Sequence, residues 1–191
     1  MNSRQIQREK RRYQILGVGA DLFIKKGYSA TKITDIAQAA DMSVGLLFHY
    51  YESKEKLYEA LIRLGVSGPK NVLYSIHYEK PIEYFEKAAG QVFEYFEKQP
   101  LMAKMFVLMM QTKLTESAPP DIRALVDDLD FFQSGIPIIE AGQKDGSIKK
   151  GDPYALSAVY WASLYGVLQA LVNLDGAPGV DPSWIVDMIR A

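Results

Sequence analysis

Apolar residues recur along this 191-residue chain with the period of a helix, and nowhere with the alternation of a half-buried strand. Ile15, Val18, Gly19, Leu22 and Phe23 fall at i, i+3, i+4, i+7 and i+8, which predicts a helix over 4–26. Lys25 and Lys26 suit its last turn, and Gly27 suits the stop beyond it. Ile33, Ile36, Ala37 and Ala40 share one face of a second, short helix over 33–40. Thr31 or Thr34 is expected to cap its start, with Asp35 in the first turn. The pattern then breaks at Asp41, which tolerates a left-handed turn, and Ser43 is an N-cap for a third helix over 44–50. That helix has barely two turns and needs tertiary packing to persist. Ser53 caps a fourth, whose apolar positions are Leu57, Leu61 and Leu64.

The rest of the chain continues in the same period. Residues 81–99 carry Ile82, Phe85, Ala89, Val92, Phe93 and Phe96, opened by Pro81 and stopped near Pro100. Leu101, Met102, Met105, Phe106, Met109 and Met110 place a helix over 101–114. Ile122, Leu125, Val126, Leu129 and Phe132 place another over 120–142, which Pro137 is expected to kink or interrupt. The polar stretch "GQKDGSIKKGDP" leads to a helix over 154–174, and "GAPGVDP" separates a last helix over 182–190. No internal repeat appears. The expected class is all-α: a three-helix head at 1–53, a connecting helix from 54 to about 65, and a larger helical body at 66–191.

Composition narrows the function classes. Hydrophobic content of 48% and charged content of 24% are those of an ordinary globular protein. No uninterrupted apolar run approaches the roughly 18 residues of a membrane span, and the N-terminus lacks the apolar stretch of a secretory signal. No membrane partner is expected. The chain has no cysteine, which excludes disulfides, thiolate metal sites and cysteine nucleophiles, and a cytoplasmic address follows. His49 and His77 lie in unrelated segments, and no metal-spaced cluster, phosphate-cradling glycine loop or nucleophile motif accompanies them. "DGAPG" and "DGSIKKGD" read as turns, and Asp127, Asp128 and Asp130 read as a solvated helix face. No enzyme activity, cofactor or metal is expected.

Net charge of −1 conceals a division. Residues 1–64 hold 11 basic and 7 acidic side chains, whereas 65–191 hold 11 and 16. A basic head on an acidic body is the electrostatic footprint of phosphate-backbone binding. The head also reads as two short helices across a tight turn, the helix-turn-helix arrangement whose second member enters the DNA major groove. The sequence there, "DMSVGLLFHYYESKEKLYEAL", puts Phe48, His49, Tyr50 and Tyr51 side by side. Adjacent helical residues point to different faces, so four rings in a row serve two surfaces at once.

Residues 13–64 resemble the N-terminal domain of the tetracycline-repressor (TetR) family. The features that carry the resemblance are "LF.KKGY" at the end of the first helix, "T..IA..A", the Ser-x-Gly turn, "LFHYY" and "SKE.L". Beyond the head, only the all-α character and "GQ.DGSI..GDP..L" are similar to that family. Five positions depart from its pattern. Asp41 sits where a glycine is usual, Lys32 where a capping Ser or Thr is frequent, and Phe48 where Tyr is common, while Val44 and Leu46 replace residues that are often polar.

The resemblance implies a ligand-responsive transcriptional repressor. In that reading Ser43 caps the recognition helix, and Val44, Gly45 and Leu46 meet base edges, Gly45 by letting the backbone approach closely. His49, Tyr50 and Lys54 reach phosphates, and Lys32 and Thr34 approach from the preceding helix. Phe48 makes either a thymine contact or plain packing, while Leu47 and Tyr51 pack back onto the head. The partners implied are double-stranded DNA bearing a palindromic operator, a second copy of the chain and a small apolar or amphipathic effector. Tyr84, Met105, Phe106, Met109, Met110, Trp161 and Tyr165 are the candidate effector-pocket residues, although plain core is the favoured reading for any one of them. Ala158, Ala162, Gly166 and Ala170 form a small-residue ridge suited to a dimer interface or to an internal helix contact. Two other readings stay open: a DNA-binding regulator controlled by a protein partner or by its own concentration, and a helical enzyme or carrier retaining the head.

Overall fold

The structure, a computed structural model, describes residues 3–73, 75–174 and 179–191, with backbone alone at 69–72. Ten helices are found among them: α1 (Ser3–Lys26), α2 (Ile33–Ala39), α3 (Val44–Phe48), α4 (Lys54–Leu73), α5 (Pro81–Lys98), α6 (Pro100–Leu114), α7 (Pro120–Asp127), α8 (Phe131–Asp145), α9 (Pro153–Asn173) and α10 (Ser183–Asp187). The class is all-α, as the periodicity indicates. The sole extended pairing among the described residues is an isolated antiparallel bridge between Ile148 and Arg190. The turn expected over "DGAPG" falls at 175–179, of which only Gly179 is described.

The described residues gather into two compact units. The first comprises residues up to Ser67 together with Lys104–Asp127, so the head segment shares a unit with most of α6 and with α7. Ile15, Leu16, Ala20 and Phe23 from α1 are buried with Ile36, Ala37, Leu47, Leu57, Leu61 and Ile62. Gly19 permits the close approach of α4, for a Cβ there would lie 3.3 Å from Leu57 Cδ2. Phe23, Tyr28 and Tyr58 form an aromatic trio, with Tyr58 edge-on to both partners at 4.7 and 4.9 Å between centroids. The Tyr58 hydroxyl shares a buried 2.8 Å hydrogen bond with Thr112 of α6. At Gly65 the two helices approach so closely that a Cβ would stand 2.3 Å from the Met105 carbonyl oxygen.

The second unit comprises Gly68–Ala103 and Asp128–Ala191. Here α8 lies along α9, and α5 packs on α8 and α10. Tyr160 is fully buried, edge-on to Phe85, and donates a 2.7 Å hydrogen bond to the Phe85 carbonyl. Gly135 sets the α8–α9 approach, because a Cβ would collide with Ser157 Oγ at 2.3 Å. Asp152 caps α9 through the Ala155 N–H, and Gly146 ends α8 in the left-handed region at φ +81°.

Three elements differ from the periodicity reading. The expected single helix over 120–142 is two helices, and the break falls at Asp128–Asp130 instead of Pro137. The Asp130 carboxylate accepts from the Phe132 and Gln133 N–H groups and so starts α8, a capping role rather than a solvated face. Pro137 sits inside α8, where the helix runs on despite losing one backbone donor. The loop expected from Gly142 begins later, since α8 continues to Asp145. Finally, α9 is long and apolar enough to cross a membrane by length and composition, although no uninterrupted apolar run is that long. Scattered Ser, Tyr and Gln residues break the run without lowering its average much. Only 28% of its most apolar stretch is buried.

Candidate nucleic-acid interface

The head's geometry starts at the end of α1. Gly27 takes φ +79° and its N–H closes onto the Phe23 carbonyl at 2.8 Å, turning the chain sharply. Thr31 is buried and does not cap α2, because its hydroxyl donates to the Gly27 carbonyl at 2.7 Å and contacts that of Leu22 at 3.2 Å. Lys32 occupies the N-cap position without a side-chain cap bond, and Thr34 is exposed. Asp35 pairs with Lys26 at 2.9 Å, and that hydrogen bond holds the carboxyl below its ordinary range.

Between α2 and α3, Asp41 stands at φ +52°, the left-handed turn expected of it, and the Met42 N–H reaches back to the Ala37 carbonyl. Ser43 is extended and its Oγ accepts the Leu46 N–H at 3.2 Å, so it is the N-cap of α3. The helix presents two faces. Leu47 is fully buried and Tyr51, just beyond, is nearly so. On the outer side Gly45 and His49 are exposed, Leu46 is 40% and Phe48 43% exposed, and Val44 and Tyr50 are half-buried. A Cβ on Gly45 would meet nothing within 4 Å. Phe48 therefore does not pack into the core, and like Leu46 it is exposed.

Lys54 is placed differently from the outward phosphate contact expected of it. Its ammonium donates to the carbonyls of Tyr28 at 3.0 Å and Thr31 at 3.1 Å, and lies 4.1 Å from the Tyr28 ring centroid. The Tyr28 hydroxyl in turn donates to Glu55 Oε1 at 2.5 Å. Burial and that bond push the Tyr28 phenol up, while the same bond holds the Glu55 carboxyl below its ordinary value. Tyr51 is pushed up by burial, with the Arg12 guanidinium 5.8 Å from its ring centroid. Gln14 ties α1 to the end of α2 through the Ala40 carbonyl at 3.0 Å. Tyr28, Gln14 and Thr31 position the turn, and periodicity passes over Tyr28 and Gln14 because their partners lie 27 and 26 residues away in sequence.

The seven candidate effector residues divide between the units. Met105, Phe106, Met109 and Met110 are buried in the first, and Tyr84, Trp161 and Tyr165 belong to the second. Tyr84 lines a cavity of about 310 Å³ within the second unit, together with Leu73, Leu129, Phe131, Asp128, Asp130 and Ser134. Trp161 is buried, and its indole N–H has no acceptor among the described residues. The Tyr165 phenol is raised by burial. On α9, Ala162 and Gly166 are exposed and Ala158 and Ala170 half-buried, while Ser157, Tyr160, Trp161, Leu164 and Leu168 face inward. Among the described residues, no three His, Asp or Glu side chains converge to hold a metal ion.

A capped two-faced short helix, set by a tight turn against a preceding one on a basic head, is a helix-turn-helix arrangement. Residues 15–61 match the sequence profile described as bacterial regulatory proteins, tetR family. Its members are DNA-binding transcriptional regulators. Among curated relatives, the HTH-type transcriptional repressor KstR2 of Rhodococcus jostii (strain RHA1) is 40% identical over 53 residues, 28% of this chain and 26% of that protein. The match thus spans about a quarter of that relative's length. Among solved structures, the TetR family regulator PfmR from Thermus thermophilus shares the fold at a TM-score of 0.68 and 23% identity, over 90% of this chain and 92% of that one. AibR, solved in complex with isovaleryl coenzyme A and operator DNA, shares it at a TM-score of 0.67 and 18% identity, over 93% and 94%.

Proposed function

We propose that this protein is a dimeric, ligand-responsive transcriptional repressor that binds a palindromic operator and is released by a small apolar or amphipathic effector. The observation that carries the reading is the division of α3, with Leu47 and Tyr51 anchored inward and Gly45, Leu46, Phe48 and His49 turned outward. Leu46 and Phe48 are apolar and exposed, so base recognition rests on contact with thymine methyls and on groove shape as much as on hydrogen bonds. Val44 and Gly45 open the helix towards the base edges, and His49, Tyr50, Lys32 and Thr34 flank it within reach of phosphates.

The ridge of Ala158, Ala162, Gly166 and Ala170 is the proposed dimer face. It is apolar and lacks partners close to Gly166, where a Cβ would meet nothing within 4 Å. A second copy related by a two-fold axis would cover it and place two α3 helices on successive half-sites. The same burial accounts for the exposed apolar surface of α9 without a membrane, which favours a cytoplasmic address. The cavity beside Tyr84, at about 310 Å³, supports a small-molecule effector over control by a protein partner alone. AibR's own complex holds a small molecule and operator DNA. An effector acts by linkage: one that binds better when the two heads are badly spaced for DNA lowers operator affinity by a coupling of about 1–3 kcal/mol.

Selection of binding sites from random duplexes, with wild-type protein and Leu46→Ala, tests the reading. Wild-type is expected to select a two-fold symmetric site and to weaken steeply with salt, and Leu46→Ala to change preference at particular base pairs in each half. Salt-independent binding or unselective sites would remove the DNA-binding part, and equal operator affinity with and without every bound ligand would remove the release part.

A further inference from the structure

The first half of α1 is helical without being packed. Every residue from Ser3 to Gln14 is exposed, and burial begins only at Ile15. Three helical turns with no buried side chain are marginal in water, and these turns carry Arg4, Arg8, Lys10, Arg11 and Arg12 against a single Glu9. The cations take two directions. Arg12 lies over the Tyr51 ring, whereas Arg4, Arg8 and Arg11 recur at i, i+4 and i+7 and share a face. With Gln7, Lys10, Gln14 and Tyr50 they line an open groove of about 690 Å³, and no carboxylate is among the lining residues. The groove is anchored at its inner end, since Arg11 donates to Gln14 at 2.7 Å and Gln14 donates to the Ala40 carbonyl. Tyr50, which follows α3, joins it to the recognition surface.

We propose that this groove is a second DNA-contacting element: Arg4, Arg8 and Arg11 hold the sugar-phosphate backbone of the duplex just outside the half-site read by α3. The proposal rests on the DNA-binding reading above. Planar guanidinium forks match phosphate oxygens better than any other side chain, and a groove lined by no carboxylate presents no competing anion. From Arg4 to Arg11 the helix rises about 10 Å, which corresponds to about three base-pair steps along the duplex axis. The face therefore spans two to three phosphates of one strand. These contacts add affinity and register and carry no base information. The arrangement also explains why unburied turns retain so many like charges, because counterion release on DNA compensates their mutual repulsion.

The test measures operator affinity against salt concentration for the wild-type, for Arg4→Ala/Arg8→Ala/Arg11→Ala, and for the corresponding triple lysine variant. Wild-type affinity is measured also on duplexes trimmed to the half-site edges. The alanine triple is expected to lower the slope of log affinity against log salt by about two to three per protomer, leaving selected bases unchanged. The lysine triple keeps most of the slope, and trimming the flanks weakens the wild-type. An unchanged slope in the alanine triple, or a wild-type indifferent to trimming, overturns the proposal. So does altered base preference in the flanks, which would assign the face to groove reading. A wild-type that binds without salt dependence fails the DNA-binding reading itself, an outcome distinct from the others. The trimming experiment uses no variant and decides the matter should the alanine triple not fold.

Discussion

Lys54 is a residue whose chemistry permits two roles, and geometry selects between them. A lysine at the start of a helix beside the recognition helix suits a phosphate, yet here its ammonium closes the turn between α1 and α2 by binding the Tyr28 and Thr31 carbonyls. Charged hydrogen bonds contribute about 1.5–3 kcal/mol in total at such sites, and the Tyr28 ring adds to this. Lys54→Ala is therefore expected to lower stability by about 1.5–3 kcal/mol, read as a fall in the urea midpoint, without altering base preference. Asp41 illustrates the opposite case, because its conformational tolerance alone led to the φ of +52° that it adopts. Ser43 is equally local, its cap bond spanning three residues.

At the scale of elements, α4 and α6 are decided by what one residue lacks. Gly65 has no Cβ, and one placed there would lie 2.3 Å from the Met105 carbonyl oxygen and 2.8 Å from Met109 Cβ. Backbone cannot move aside as a flexible side chain can, so Gly65→Ala is expected to cost about 1–3 kcal/mol by overpacking. Thermal unfolding would report it as a fall of about 2–4 °C for each kcal/mol in a chain of this size. An unchanged midpoint would show that the two helices can part without loss. The break between α7 and α8 follows the same logic of local competition. Pro137 removes one donor from a helix otherwise satisfied, whereas Asp130 satisfies two N–H groups at once and makes a start more favourable than a continuation.

For the whole molecule, the exposed side of α9 is the proposed assembly surface. Gly166→Arg places a long cation where the proposed partner helix must approach, and there is room for it in the isolated protomer. The variant is expected to fold, to sediment as a monomer at concentrations where the wild-type is dimeric, and to lose most operator affinity, since one recognition helix alone reads only a half-site. Sedimentation velocity on both proteins decides this, and a dimeric variant would move the interface elsewhere.

Sequence alone determined what depends on near neighbours. The periods of 3.6 placed nearly every helix, Gly27, Asp41 and Ser43 marked the turns, and the motifs around "LFHYY" identified the head, because each of these signals is complete within a few residues. Tertiary structure alone decided which way Lys54 points, that Thr31 binds back to α1 instead of capping α2, and that Phe48 stands outward instead of packing inward. It also decided which candidate effector residues share a unit: the spacing in "LMAKMFVLMM" is the same for a core and for a pocket wall. Which partner a buried or hydrogen-bonded group meets is set by residues brought together from distant parts of the chain, and local periodicity, which marks only the apolar face, carries no record of it.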